Sequence, residues 1–196
     1  MKFARRILVL VLSVCLGVSA AETIDATASG IIPALKQPKS NDCWITAASM
    51  LLSWKDISTY NVKDVADRAG KDYRKLYDQN SGLPFEKQGD FLKTLKLKAE
   101  VPQSYTIQGW ANLIKSYGPL WVTTGGTTVS GKSWAHARIL TKIKGDGSAS
   151  TVLTFIDPAT GKEVAQPFNK FIEEFEAIAR LDLGPGADLL PQVIHF

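Results

Sequence analysis

The stretch Lys36–Trp54, KQPKSNDCWITAASMLLSW, changes character at a single residue. Pro38, Lys39, Ser40, Asn41 and Asp42 are polar and turn-prone, and from Cys43 onward the chain is almost wholly apolar. Trp44, Ile45, Ala47, Ala48, Met50, Leu51, Leu52 and Trp54 fall on every face of a helix. That pattern predicts a central, enclosed element rather than an amphipathic one. Asn41 or Asp42 can serve as the N-cap, which places Cys43 in the first turn. A thiol there faces unpaired backbone N–H groups and the positive end of the helix dipole, an environment that favours thiolate. The competing reading is a buried structural cysteine, the commoner case for a cysteine taken alone.

Residues 1–20 read as a secretory signal. Lys2, Arg5 and Arg6 supply the basic region, Ile7 to Val18 the apolar run, and Val18-Ser19-Ala20 the small-residue cleavage site. The apolar run is short for a membrane span, so the mature protein is expected to be periplasmic or secreted, without membrane insertion after cleavage. The signal takes three basic residues and no acidic ones with it, so the net charge falls from +4 to +1. That leaves little case for nucleic acid or an anionic membrane as the partner. Cys15 leaves with the signal too. Cys43 then stands alone in an oxidising compartment, a free thiol without an internal disulfide partner and without the cysteine pairs of structural zinc sites. No metal or other cofactor is expected.

The remaining chain suits one domain, expected over residues 31–183 and acting as a monomer. Residues 21–30 read as a flexible lead-in and 184–196 as a tail, partly disordered. Helical spacing is predicted over Asn61–Ala69 with Gly70 as C-cap, over Lys71–Gln79, over Phe85–Leu95 after Pro84, and over Ile107–Tyr117 behind Thr106. The period then changes. Leu120–Thr124, Trp134–Ile143, Thr151–Ile156 and Glu163–Gln166 read as strands, separated by a Gly/Ser/Thr-rich loop and two turns. Phe168–Glu176 reads as a helix and Ala177–Leu183 as a last strand. Helices followed by a mainly antiparallel sheet give an α+β domain, its Cys-bearing helix packed on the sheet.

Cysteine catalysis needs a base, a group that orients the base, and donors for the oxyanion. His136 and His195 are the two histidines. His195 lies in a Pro-containing tail, a poor place for catalysis. His136 starts a predicted strand after a Gly-rich loop that can line a cleft, although a histidine in such a place is more often structural. Asp157 ends the next strand. If the two strands pair through the Gly145–Gly147 turn, Asp157 reaches the sheet end of His136, where a carboxylate can fix the imidazole tautomer. An Asp-Pro turn is its plainer explanation. Gln37 lies shortly before Cys43, and its amide could join the Cys43 backbone N–H as an oxyanion hole; an exposed loop glutamine is the alternative. Trp110, Trp121 and Trp134 are cleft candidates, but such aromatics are more often core.

The order Gln37, Cys43, His136, Asp157, with Trp44 directly after the cysteine, resembles papain-like cysteine peptidases. The closer likeness is to the bacterial papain-like avirulence-protein cysteine proteases. It is carried by Gln37-Pro38 before Cys43-Trp44, by Met50–Trp54, by Gly118-Pro119-Leu120-Trp121-Val122, by Ala135-His136-Ala137-Arg138 and by Ile156-Asp157-Pro158. The resemblance runs from about Gln37 to Ala179. It implies a papain-like fold, a protein or peptide substrate, Cys43 as nucleophile, His136 as general base and acid, Asp157 as orienter, and Gln37 with Cys43 as oxyanion donors. Ser40-Asn41-Asp42 stands where better-known relatives carry a disulfide-forming cysteine, and an Asp replaces their Asn orienter. Two other functions stay open on the residues: a cell-wall amidase or other acyl-transfer enzyme with the same triad, and a catalytically silent peptide-binding protein. Trp44-Ile45 does not fit the Ser-Gly that usually follows the cysteine in cell-wall hydrolases.

Overall fold

A computed structural model describes residues 23–179 and 191–196. The elements, in chain order, are β1 (Ile24–Thr27), α1 (Cys43–Lys55), α2 (Val62–Ala69), α3 (Lys71–Asp78), α4 (Phe85–Thr94), β2 (Lys98–Ala99), α5 (Ile107–Tyr117), β3 (Leu120–Thr127), β4 (Ser133–Gly145), β5 (Val152–Asp157), β6 (Lys162–Pro167), α6 (Phe168–Ala179) and β7 (Val193–His195). The strands form one sheet in the order β2-β7-β3-β4-β5-β6, and β1 pairs with the far end of β4. All of these pairings are antiparallel. The described residues are therefore an α+β domain.

Side-chain alternation along the strands sorts two cores. Trp121, Ala137, Ile139, Ile156 and Ile194 face one way, against α1, α2, α3 and α4. Leu120, Val122, Leu140, Phe155 and Val193 face the other, against β1, α5 and α6. The sheet is thus covered on both faces, whereas the sequence pattern placed helices against it without assigning α5 and α6 to the reverse side.

The helix α1 is enclosed as its composition requires: Trp44 through Ser53 are all buried. Each large apolar side chain buried there contributes roughly 1.5–3 kcal/mol. Its two buried serine hydroxyls are satisfied within the helix, Ser49 donating to the Ile45 carbonyl (2.7 Å) and Ser53 to that of Ser49 (2.6 Å). The expected capping does not occur. Asp42 occupies the cap position but makes no side-chain cap bond, and Asn41 is drawn away to Asn80. Asn61 and Thr106, by contrast, cap α2 and α5 through their side chains.

Three expectations are corrected. The lead-in over 21–30 contains β1, whose alternating buried Ile24 and Ala26 extend the sheet. Ala177–Ala179 continue α6, because Phe171, Phe175 and Ile178 keep a helical stripe against the sheet; the rest of that predicted strand lies outside the described residues. The end of the tail is ordered, since β7 lies between β2 and β3. The signal at 1–20 and the tail over 184–190 lie outside the described residues.

Gly118 shows how tightly α1 is seated. Its φ is 81°, and a Cβ there would fall 2.5 Å from the ring of Trp54. That ring cannot yield freely, because its N–H donates to the Ser29 carbonyl at 2.6 Å. Gly118→Ala is expected to destabilise the domain by more than about 1 kcal/mol. An unshifted urea midpoint would contradict this account of the α1 contact.

Candidate active site

Cys43 is the first residue of α1 and is partly exposed. The first backbone bond of the helix runs from the Thr46 N–H to the Asp42 carbonyl (3.0 Å), so the Cys43 N–H has no acceptor within the helix. The loop before Cys43 is held from two sides. Asn80, whose own φ is +53°, accepts the Asn41 N–H at 3.0 Å and donates to Ser40 Oγ at 3.1 Å. Lys39 reaches the Tyr77 carbonyl (2.5 Å), and the Trp44 indole N–H reaches that of Ser81 (3.2 Å). On the other side, the Gln37 N–H donates to the Pro158 carbonyl at 2.7 Å. The turn over 157–161 therefore touches the loop that delivers the cysteine.

His136 sits on β4, opposite Thr124 of β3. Its Nε2 meets Asp157 Oδ1 at 2.7 Å, and the same ring interacts with the Cys43 thiol. With Nε2 committed to the carboxylate, Nδ1 is the nitrogen left for the sulfur. The contact between His136 and Asp157 follows from register: β4 and β5 pair antiparallel with Ile139 opposite Ile156, which brings Asp157 to the His136 end of the sheet. Both explanations of Asp157 hold at once. Oδ1 also accepts the Ala159 N–H at 2.8 Å, and the Asp157 carbonyl accepts the Gly161 N–H at 2.7 Å, so the residue starts a turn as well as facing the imidazole.

These contacts set charge. Burial is the largest influence on His136 and disfavours imidazolium. The hydrogen bond to Asp157 and the pairing with Cys43 together outweigh it, and the pKa rises from 6.5 to about 9. Asp157 is held below the usual carboxylate range, first by the His136 hydrogen bond and then by the Ala159 N–H, against the opposing effect of burial.

Gln37 is placed differently from its expected role. Its Nε2 donates to the Lys39 and Ser40 carbonyls, each at 2.8 Å, so both amide hydrogens are taken up inside the loop, while Oε1 is buried without a partner. His195 is buried away from this site, bonded to Glu100 Oε1 at 2.9 Å and stacked on Tyr117 at 3.7 Å. Trp110 belongs to the core, Trp134 is 38% exposed, and Trp121 is both core and cavity wall.

A cavity of about 170 Å³ opens beside Cys43 and His136, walled by Trp44, Leu83, Phe85, Gln88, Trp121 and Thr123. Leu83, Phe85 and Gln88 gave no signal in the sequence, because only the fold of α4 against α1 brings them to the thiol. Arg138 was visible only as part of a motif. It is buried two residues along β4 from His136, bonded to Gln166 (2.8 Å), Thr124 (3.2 Å) and Glu174 (3.1 Å), with its guanidinium 4.4 Å from the Phe155 ring. Among the described residues, no group of three or more His, Cys, Asp or Glu side chains is gathered where it could hold a metal ion.

A thiol and an imidazole on one apolar cavity, with a carboxylate bonded to the imidazole, are the parts of a cysteine hydrolase. A family model described as papain-like cysteine protease AvrRpt2 matches residues 28–176. The chain belongs to that family of cysteine proteases. A search of curated proteins finds no match to it.

The pairing contributes stability that is fully present below about pH 6.5, where the ring would be charged even in the unfolded chain, and is lost as the pH rises through about 9. NMR titration of the His136 ring is expected to show its charge persisting to about pH 9, and Asp157→Asn is expected to lower the midpoint. A wild-type ring titrating near 6.5 would show that the coupling is absent.

Proposed function

We propose that this protein is an exported papain-like peptidase that cleaves peptide bonds through Cys43, His136 and Asp157 and a covalent acyl-enzyme. The observation that carries the reading is the bond of His136 Nε2 to Asp157 at 2.7 Å, with Cys43 lining the same cavity as that ring and helping to raise its pKa. Export is supported by the signal-like residues 1–20 and by the single cysteine that remains after them.

The steps follow from the contacts. The Cys43 proton resides on His136, and the sulfur attacks the carbonyl carbon of the scissile amide. The oxyanion takes the Cys43 N–H, which no helical acceptor occupies. Gln37 assists only if one of its amide hydrogens exchanges a loop carbonyl for the substrate oxygen. Imidazolium then gives its proton to the leaving amine nitrogen, the C–N bond breaks, and a thioester remains. Water attacks the thioester while His136 takes a proton from it, and the carboxylic acid leaves with the sulfur restored. Asp157 stays ionised throughout, holding the ring in one tautomer and orientation.

Labelling by a thiol-directed peptide electrophile tests the assignment. Cys43→Ala is expected to abolish labelling, and His136→Ala to slow it by about 100-fold or more, with loss of peptide hydrolysis in both. Labelling of His136→Ala at the wild-type rate would refute the pairing.

A further inference from the structure

The helix α3 ends in a closed turn. The Ser81 N–H donates to the Leu76 carbonyl at 2.9 Å and the Asn80 N–H to that of Tyr77 at 3.1 Å, with Asn80 at φ +53°. Glycine fills such a left-handed position most easily, because a Cβ there crowds the backbone. Asparagine tolerates it, and Asn80 stands in it with its side chain directed out of the turn. Its Oδ1 accepts the Asn41 N–H at 3.0 Å, and its Nδ2 donates to Ser40 Oγ at 3.1 Å. An N–H can only donate, so the first bond fixes which end of the amide is oxygen. The Asn80 carbonyl adds a third bond, accepting Asn41 Nδ2 at 2.8 Å.

Ser40 and Asn41 lie in a short turn with an oxyanion donor at either end. Behind them is Gln37, whose amide hydrogens rest on the Lys39 and Ser40 carbonyls, each at 2.8 Å. Ahead of them is Cys43. The Asp42 N–H donates back to the Lys39 carbonyl at 3.2 Å, and the Asp42 carbonyl accepts the Thr46 N–H at 3.0 Å. In a trans peptide the carbonyl and the N–H point opposite ways, so that last bond turns the Cys43 N–H outward from the head of α1. The three bonds of Asn80 go to the turn between the two donors, not to the donors themselves.

We propose that Asn80 is a positioning residue for the oxyanion hole, holding Ser40 and Asn41 in the one turn that keeps the Gln37 amide and the Cys43 N–H in fixed relation. This rests on the peptidase reading above. The thiol is carried by the enclosed helix α1, and His136 and Asp157 by β4 and β5. Loss of the Asn80 bonds therefore displaces the loop before the thiol and leaves the thiol and imidazole in place. An oxyanion donor acts when charge develops on the carbonyl oxygen, so its displacement lowers kcat more than it raises KM.

Asn80→Gly separates this role from support of the fold. Glycine suits the left-handed turn and keeps the main-chain carbonyl that Asn41 Nδ2 uses, while both side-chain bonds are lost. With the full chain, hydrolysis of the fastest-cleaved member of a positional peptide library is compared with alkylation of Cys43 by iodoacetamide. In alkylation the sulfur displaces iodide from a saturated carbon, so no oxyanion forms. For Asn80→Gly, kcat is expected to fall by about tenfold or more, with KM little changed and alkylation at the wild-type rate. Asn80→Asp keeps the acceptor for the Asn41 N–H, and the Ser40 hydroxyl can turn to donate to it, so kcat is expected to recover toward wild type. Hydrolysis by Asn80→Gly at the wild-type kcat would overturn the assignment. An equal fall in hydrolysis and alkylation would also overturn it, marking Asn80 as a support of the thiol itself. Either result leaves the peptidase reading standing. A wild-type thiol that alkylates readily with no library member cleaved would overturn the peptidase reading, and this inference with it.

Discussion

The molecule depends on one junction, where the N-terminus of a buried helix meets a side chain on a strand nearly a hundred residues later. Cys43 is brought to His136 by the packing of α1 against the β4 side of the sheet, and its own loop adds nothing to that position without support. The support comes from both halves of the chain. Asn80 and Ser81 hold the loop from the helical side, and Pro158 receives the Gln37 N–H from the sheet side. A Cβ on Gly161 would lie 2.9 Å from Lys36, so the turn that carries Asp157 also lies directly against this loop. Nucleophile, base and orienter are therefore positioned by a single set of contacts.

That arrangement is costly to the fold, and the cost is concentrated near the thiol. Gln37 Oε1, both Asp42 carboxylate oxygens, Thr46 Oγ1 and Gln88 Oε1 are buried without partners among the described residues. Each such group costs about 1–3 kcal/mol relative to a satisfied one. Asp42 is the clearest case: burial raises its pKa, and nearby Lys39 only partly opposes the shift. Groups of this kind collect where structure is constrained by something other than stability. Arg138 shows a partial solution, since only its Nε is left without a partner. Its burial disfavours the charge, yet Glu174, Gln166, Thr124 and the Phe155 face surround it.

What was legible in the sequence was whatever local chemistry decides. The helix from Cys43, the caps at Asn61 and Thr106, and the helix ends at Gly70 and Gly118 all follow from neighbouring residues, and the structure has them. The long β3–β4–β5 hairpins follow from alternation and turns, and through register they bring His136 to Asp157. Less legible was anything decided at a distance. The strands β1 and β7 are short, and β2 is two residues long, so none carries a pattern to read; pairing partners far along the chain create them. The failure of Asn41 to cap α1 is of the same kind, because Asn80 competes for it from across a loop. Gln37 was read from its place before Cys43, and the direction of its amide hydrogens is set by two carbonyls that no spacing rule could reveal.

The C-terminal segment deserves to be counted with the site for a mechanical reason. Gln192 donates to the Thr123 carbonyl (3.0 Å) and to that of Phe175 (2.6 Å), while the Thr123 N–H donates to the Gln192 carbonyl at 2.8 Å. Trp121 pairs with Ile194, and Gln88 is oriented by Pro191. Trp121, Thr123 and Gln88 are cavity walls, so three of its sides are fixed by residues 191–194. The thiol and imidazole are carried by α1 and the hairpins, whereas the cavity beside them is walled by side chains that the last strand holds from its place between β2 and β3.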